Sequence, residues 1–263
     1  MRTALTIAVS DSGGGAGIQA DLKTFAAFGV FGTSAITAIT AQNTRGVTAI
    51  QALDPALVVA QIDAVVSDLG ADATKIGMLA NTAIVEAVAR ALAGHKLRHI
   101  VLDPVMVAKG GDHLLESPAV DALRTMLVPM ATVLTPNVPE AEVLTGLTIT
   151  SVAGLREATA RLVKMGARSV VVKGGHLTLD TGRAVDVWSD GTRYVELDSE
   201  RIATPHTHGT GCTFSSAVAA GLALGHDVEA AVREAKAYVT GAIRHAPGLG
   251  HGHGPLDHGW QRH

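Results

Sequence analysis

The chain has 263 residues, a formal net charge of −3, 47% hydrophobic residues and only 3% aromatic ones. That length favours a single domain, 1–263, with ample material for a core; a slightly acidic balance without a basic cluster, and scarce aromatics, argue against nucleic acid or an anionic membrane as the main partner. One cysteine excludes an internal disulfide framework and fits a cytoplasmic protein, and no apolar run reaches the ~18 residues of a bilayer span.

Ala4 to Val9 reads as a buried strand; its short apolar run leads straight into Ser10 and Asp11, unlike a signal peptide. Gly17 to Phe28 is helix-like and Ser34 to Thr40 strand-like. Pro55 to Leu69 carries apolar residues at helical spacing, from Leu57 and Val58 to Val66 and Leu69. Thr74 to Ile76 is a short strand, and Asn81 to Ala93 a helix with Gly94 as its stop. Strands at His99 to Leu102 and Ala131 to Leu134 end at Asp103-Pro104 and Thr135-Pro136. Val152 to Met165 is helical up to Gly166, and Ser169 to Val172 a strand ending at Lys173-Gly174-Gly175. Ala184 to Trp188 and Arg193 to Leu197 flank Asp190-Gly191 as a hairpin. Two helices follow, from about Gly211 and from Val228.

Strand–helix alternation with continuous apolar strands predicts an α/β fold: a mostly parallel sheet covered by helices on both faces. Asp11, Asp103, Thr135 to Asn137 and Lys173 all follow strand ends. In open α/β sheets the ligand crevice lies there.

The run Thr207-His208-Gly209-Thr210-Gly211-Cys212-Thr213 precedes an apolar helix, Phe214 to Leu224, and holds the single cysteine. A glycine turn opening a helix directs backbone N–H groups and the dipole's positive end at one spot, which suits a phosphate. The same position predicts a lowered thiol pKa for Cys212. The plain alternative is a small buried hydrophobe. The chain has no Gly-x4-Gly-Lys-Ser/Thr, no His-Glu-x-x-His and no cysteine pair for zinc, and Gly13 to Gly17 does not fit the dinucleotide fingerprint. Histidines 251, 253, 258 and 263 sit in a Gly-rich context that reads as a solvated tail.

Asp103 and Glu140 offer two carboxylates for magnesium, which favours a few carboxylates plus substrate phosphates. Asn137 and Glu140 also suit a helix cap and a first-turn acid. Lys173 stands where a cation can meet phosphate oxygens. Charge neutralisation and positioning are what phosphoryl transfer needs.

Ser10 to Thr24, Thr37 to Thr44, Lys75 to Leu79, Asp103 to Lys109, Thr135 to Ala141, Val172 to His176, His206 to Thr213 and Gly252 to Pro255 together resemble the hydroxymethylpyrimidine/phosphomethylpyrimidine kinases, the ThiD enzymes of thiamine biosynthesis. The matches run in order over nearly the whole chain. The departures are Ser12-Gly13 and Gly110-Gly111-Asp112, and neither removes a proposed chemical group. The resemblance implies a ribokinase-like three-layer α/β/α fold and ATP–Mg²⁺ chemistry. It implies that Cys212 stands as base where the wider superfamily usually has Asp, with Gly209, Thr210 and Gly211 completing an anion hole. It further implies that Gln42 reads the aminopyrimidine edge, that Met78 and Val105 line the ring, and that Ala16 and Asp21 lie near the substrate, Asp21 by the hydroxymethyl group. Asp103 and Glu140 would handle magnesium, Asn137 and Lys173 the nucleotide phosphates, and Lys236 the adenosine border. A homodimer is implied as well. A side-chain amide such as that of Gln42 both donates to a ring nitrogen and accepts from an exocyclic amine. The competing readings are a pyridoxal-type kinase on the same fold, a non-catalytic ligand-binding protein of this fold, and a hydrolase using Cys212 as nucleophile with His206 or His208.

Overall fold

The computed structural model describes residues 1–106, 116–175, 177 and 182–262. The sequence expectations on Val107 to Lys109, Gly110-Gly111-Asp112, His176 and His263 lie outside the described residues.

The strands are β1 (Thr3–Asp11), β2 (Phe31–Asn43), β3 (Gly46–Ala52), β4 (Ala73–Ile76), β5 (Ile100–Leu102), β6 (Val133–Leu134), β7 (Val170–Val172), β8 (Arg183–Ser189) and β9 (Tyr194–Glu200). They form one sheet in the order β3-β2-β1-β4-β5-β6-β7-β8-β9. The pairs from β2 through β7 are parallel, while β3 and β8 run antiparallel to their neighbours. The helices are α1 (Gly17–Ala27), α2 (Pro55–Asp68), α3 (Thr82–Gly94), α4 (Ser117–Ala122), α5 (Val138–Thr145), α6 (Val152–Lys164), α7 (Thr210–Leu224) and α8 (Val228–Arg244).

Alternation along the strands sorts the core into two layers. Leu5, Ile7, Ile76, Leu102, Leu134 and Val172 face α2, α3, α5 and α6, where Ile62, Val88, Leu144 and Leu162 are buried. Ala4, Ala73, Val101, Val133 and Val171 face the other way, against Phe25 of α1, Phe214 and Val218 of α7, and Tyr238 of α8. The fold is therefore ribokinase-like, with three layers and a mostly parallel central sheet. Small side chains let α7 lie close on the sheet: Ala217, Ala219 and Ala220 are fully buried. No helix among the described residues is long and apolar enough to cross a membrane.

Two expectations need correction. β3 had no place in the sequence reading; all its residues but Ala52 are exposed, so it has no buried face to produce a core pattern. The histidine-rich C-terminal stretch is not a solvated tail. His253 N donates to Thr44 O at 2.7 Å, His208 bridges to Pro255, and Leu256 and His258 are buried. Its glycines permit this contact: a Cβ at Gly252 would overlap the Thr44 carbonyl oxygen.

Candidate active site

The carboxyl ends of β1, β4, β5, β6 and β7 open on one crevice, and α7 begins there. Gly209 precedes α7 in the left-handed region at φ 82°, and a Cβ on it would overlap the Gly15 carbonyl oxygen. Only glycine allows the two glycine turns to touch in this way. α7 has no side-chain cap and no acid in its first turn. Its N–H groups and positive dipole end are thus presented to the crevice.

Three side chains following Cys212 pin that turn. Thr213 Oγ1 pairs with His258 Nε2 at 3.0 Å. Ser215 Oγ meets Thr135 Oγ1 at 2.8 Å. Ser216 Oγ donates to Asp21 Oδ1 at 2.6 Å. The glycine turn at the start of α7 is therefore fixed to the C-terminal stretch, to the sheet and to α1.

Asp103, only 1% exposed, accepts from Lys173 Nζ at 2.8 Å. This pair lies directly under α7: a Cβ at Gly211 would stand 3.1 Å from Lys173 Nζ and 3.7 Å from Asp103 Oδ2. Burial works against the Lys173 charge, but Asp103 and Glu140 outweigh it and raise its pKa. Asn137 caps α5 in a capping box: its side chain accepts from Glu140 N, and Glu140 Oε2 accepts from Asn137 N at 2.8 Å. The capping reading of Asn137 and Glu140 is thus the one seen in the structure. Asn137 Oδ1 is occupied by the cap, so its amide NH₂ is what it offers a ligand. Burial, helped by the Asp103 charge and opposed by Lys173, pushes the Glu140 carboxyl up to about 8. Two close buried carboxylates, one driven toward its neutral form, are a donor set that a divalent cation would relieve. Among the described residues no three His, Cys, Asp or Glu side chains converge as a metal cage.

The other end of the crevice is built on Asp11. Its carboxylate accepts from the N–H groups of Gly13, Gly15 and Ala16, and pairs with His208 Nε2 at 2.9 Å. Burial opposes ionisation of Asp11, yet these partners hold its pKa below the ordinary range. Gln42 Nε2 stands 3.2 Å from His208 Nε2. Met78 and Val105 join Val9 and Ala38 in a small apolar cluster.

Two residue expectations change. The Cys212 thiol is not activated as a thiolate: burial pushes it up to about 11, with Lys75 opposing and Asp21 and Asp103 reinforcing. A thiol between carboxylates feels more than the helix dipole. Asp21 is wholly buried, its oxygens taken by Thr6, Lys75 and Ser216, so it lies behind the crevice wall and offers no surface to a substrate. Lys236 Nζ is bound to Asp186 Oδ2 at 2.8 Å and to Ala184 O. Asp186 in turn accepts from Gly174 N, so Lys236 props the turn after Lys173. It also lines a cleft of about 490 Å³ between β9 and α8, with Thr240 and Trp260. Of the two bases the hydrolase reading offered, His208 is engaged by Asp11 rather than by Cys212, and the His206 ring lies against Gly254 and Gly248 of the C-terminal stretch.

Sequence reasoning gave no role to Lys75 or Asp186, gave His208 one only in the hydrolase reading, and assigned no chemistry to Asp11. Asp11 was visible as an acid at a strand end; the other three act through partners distant in the chain.

A helix terminus suited to anions, facing a half-buried lysine and carboxylates, with an apolar cluster and one amide at the same sheet end, is arranged to move a phosphoryl group onto a small molecule. Ribokinase-like kinases are the class this fold and crevice define. The chain belongs to the phosphomethylpyrimidine kinase family, whose pattern matches residues 11–257; it is a phosphotransferase. It is 51% identical over 261 residues to the hydroxymethylpyrimidine/phosphomethylpyrimidine kinase of Haemophilus influenzae, covering 98% of this chain and 97% of that one. It is also 51% identical over 254 residues to the thiamine biosynthesis bifunctional protein ThiED of Geobacter sulfurreducens, covering 97% of this chain but spanning about half (51%) of that protein. An ADP complex of Bacillus subtilis pyridoxal kinase superposes with a TM-score of 0.92 at 41% identity, covering 100% of this chain and 99% of that one.

Proposed function

We propose that the protein transfers the terminal phosphoryl group of ATP to hydroxymethylpyrimidine, and then a second one to the resulting monophosphate, in the cytoplasmic synthesis of thiamine. The observation that carries this reading is the approach of the α7 turn to the Lys173–Asp103 pair, where a Cβ built on Gly211 would meet Lys173 Nζ at 3.1 Å, together with the Gln42 amide beside His208 and the Met78–Val105 cluster.

In this reading Gln42 pairs with the aminopyrimidine edge, and Met78 and Val105 hold the ring by apolar contact. Ala16 closes the pocket from the first glycine turn. The N–H groups of Gly209 to Cys212 receive the transferred phosphoryl oxygens, and Lys173 and the Asn137 amide hold the nucleotide phosphates. The adenosine end rests in the cleft bordered by Lys236. Asp103 and Glu140 would hold Mg²⁺, which when bound neutralises phosphate charge. Cys212, a neutral thiol, hydrogen-bonds the attacking hydroxyl, whose proton passes to an oxygen of the transferred phosphoryl group, since a loose transition state makes little early demand on a base.

A homodimer fits the exposed edge of β3, where Val47 and Ile50 are 38% and 44% exposed, next to Ile39 at 51%. Light scattering of the purified protein tests it. The activity is tested by coupled ADP release with hydroxymethylpyrimidine, its monophosphate and pyridoxal as separate acceptors. Turnover with both pyrimidines at kcat/KM well above pyridoxal supports the reading. Pyridoxal as the better acceptor overturns it in favour of the activity that names the Bacillus subtilis protein.

A further inference from the structure

Lys75 has no part in the chemistry above. It is fully buried at the carboxyl end of β4 and pairs with the equally buried Asp21 at 2.9 Å. Asp21 also accepts from Thr6 Oγ1 and Ser216 Oγ, each at 2.6 Å, so both of its oxygens are satisfied. The ammonium is less well served. It has three donors, and among the described residues Asp21 is its only hydrogen-bond acceptor. Its Nζ reaches the strand exit, where a Cβ at Gly77 would lie 2.8 Å away, one residue before Met78.

Ser216 and Cys212 are four residues apart on α7 and share one face of the helix. That face meets Asp21, which brings Lys75 within electrostatic reach of Cys212. Of the charges around the thiol, Lys75 acts most strongly and is the one that favours its ionisation. Fold stability alone is a weak reason for such a pair. A buried ion pair is often no more stable than apolar residues of the same volume, whereas breaking it is costly.

We propose that Lys75 is a positioning residue for phosphoryl transfer: a fixed positive charge beneath the first turn of α7, held in place by Asp21 and Ser216, that acts through Cys212 and supports the negative charge gathering at the anion hole. The proposal rests on the reading of the α7 turn as the transfer site. It explains why Asp21 belongs to the site without touching a substrate.

The test uses Lys75→Met, Asp21→Asn and the double variant. Lys75→Met alone leaves a buried carboxylate unpaired and lowers the melting temperature. The double variant removes both charges and restores much of it. Each protein is assayed for Tm, for kcat and KM, and for iodoacetamide alkylation of Cys212, the only thiol in the chain. The proposal predicts that the double variant recovers Tm but not kcat, which stays ~10-fold or more below wild type with KM for ATP nearly unchanged. Its alkylation at about pH 9 slows by ~3-fold. Asp21→Asn leaves Lys75 buried without its carboxylate partner, so its Tm also falls below that of the double variant. Recovery of kcat together with Tm, or unchanged alkylation in the double variant, would make the pair purely structural and overturn the proposal. Absence of transfer by the wild-type protein would instead sink the assignment of the site, and alkylation would still report on Lys75.

Discussion

His258 ties the C-terminal stretch to the active-site helix, and its titration should be visible in the stability of the whole fold. It is 7% exposed and pairs through Nε2 with Thr213 Oγ1, while its carbonyl accepts from Tyr238 OH at 2.7 Å. An ordinary histidine titrates near 6.5; burial, then the charge of Lys23, pushes His258 down to about 4. The unfolded chain therefore takes up a proton that the native chain refuses. The contribution is complete above pH 6.5 and is lost as pH falls through the window toward 4. At ~1.4 kcal/mol per pH unit, the window of about 2.5 units corresponds to ~3 kcal/mol. Asn in place of His258 keeps a hydrogen-bonding group near Thr213 but does not titrate. Urea unfolding of both proteins at a series of pH values measures the difference between them. That difference should favour the wild type at neutral pH and shrink steadily below pH 6.5. Turnover of the variant should also fall, because Thr213 loses its anchor one residue after Cys212. Stability curves that stay parallel down to pH 4 would refute the reasoning, since His258 would then titrate as it does in the unfolded chain.

Two further outcomes follow from the site. Cys212→Ser should impair phosphorylation of the alcohol far more than that of the monophosphate, whose second pKa near ~6 leaves it already deprotonated; equal losses in the two half-reactions would make Cys212 part of the anion hole and not chiefly a partner of the attacking hydroxyl. Glu140, raised to about 8 by burial, costs the unliganded fold stability as pH climbs from the ordinary carboxylate range toward 8, so Glu140→Gln should be the more stable protein at about pH 8.5 by chemical denaturation, yet need more Mg²⁺ for half-maximal turnover; a variant less stable there, or with an unchanged metal requirement, contradicts this.

The sheet was legible because its strands are buried on both faces and end in polar residues: β1, β5 and β7 announce themselves by Asp11, Asp103 and Lys173. The α7 turn was legible as a glycine turn opening an apolar helix, although Gly-x-Gly by itself is a common pattern and took its meaning from the strand-end acids and Lys173. Much of the rest depended on contacts that no local pattern encodes. β3 is solvent-exposed and so lacks an apolar period. Lys75 looks like any strand lysine until Asp21 of α1 is folded against it, and Asp21 looks like a surface acid of an amphipathic helix. The Cys212 thiol was read from its helix terminus alone, whereas Asp21 and Asp103, from two other elements, decide its ionisation. His258 sits among glycines that suggest a loose tail, yet those glycines are what let the chain press against Thr44.

The most direct measurement follows ³¹P resonances in one sample of the protein with ATP, Mg²⁺ and hydroxymethylpyrimidine. The account predicts a phosphomonoester signal that grows first and then gives way to the paired signals of a pyrimidine diphosphate, with ADP formed at each step. ADP formation without either pyrimidine phosphate, or a monophosphate that accumulates and is never converted, would contradict it.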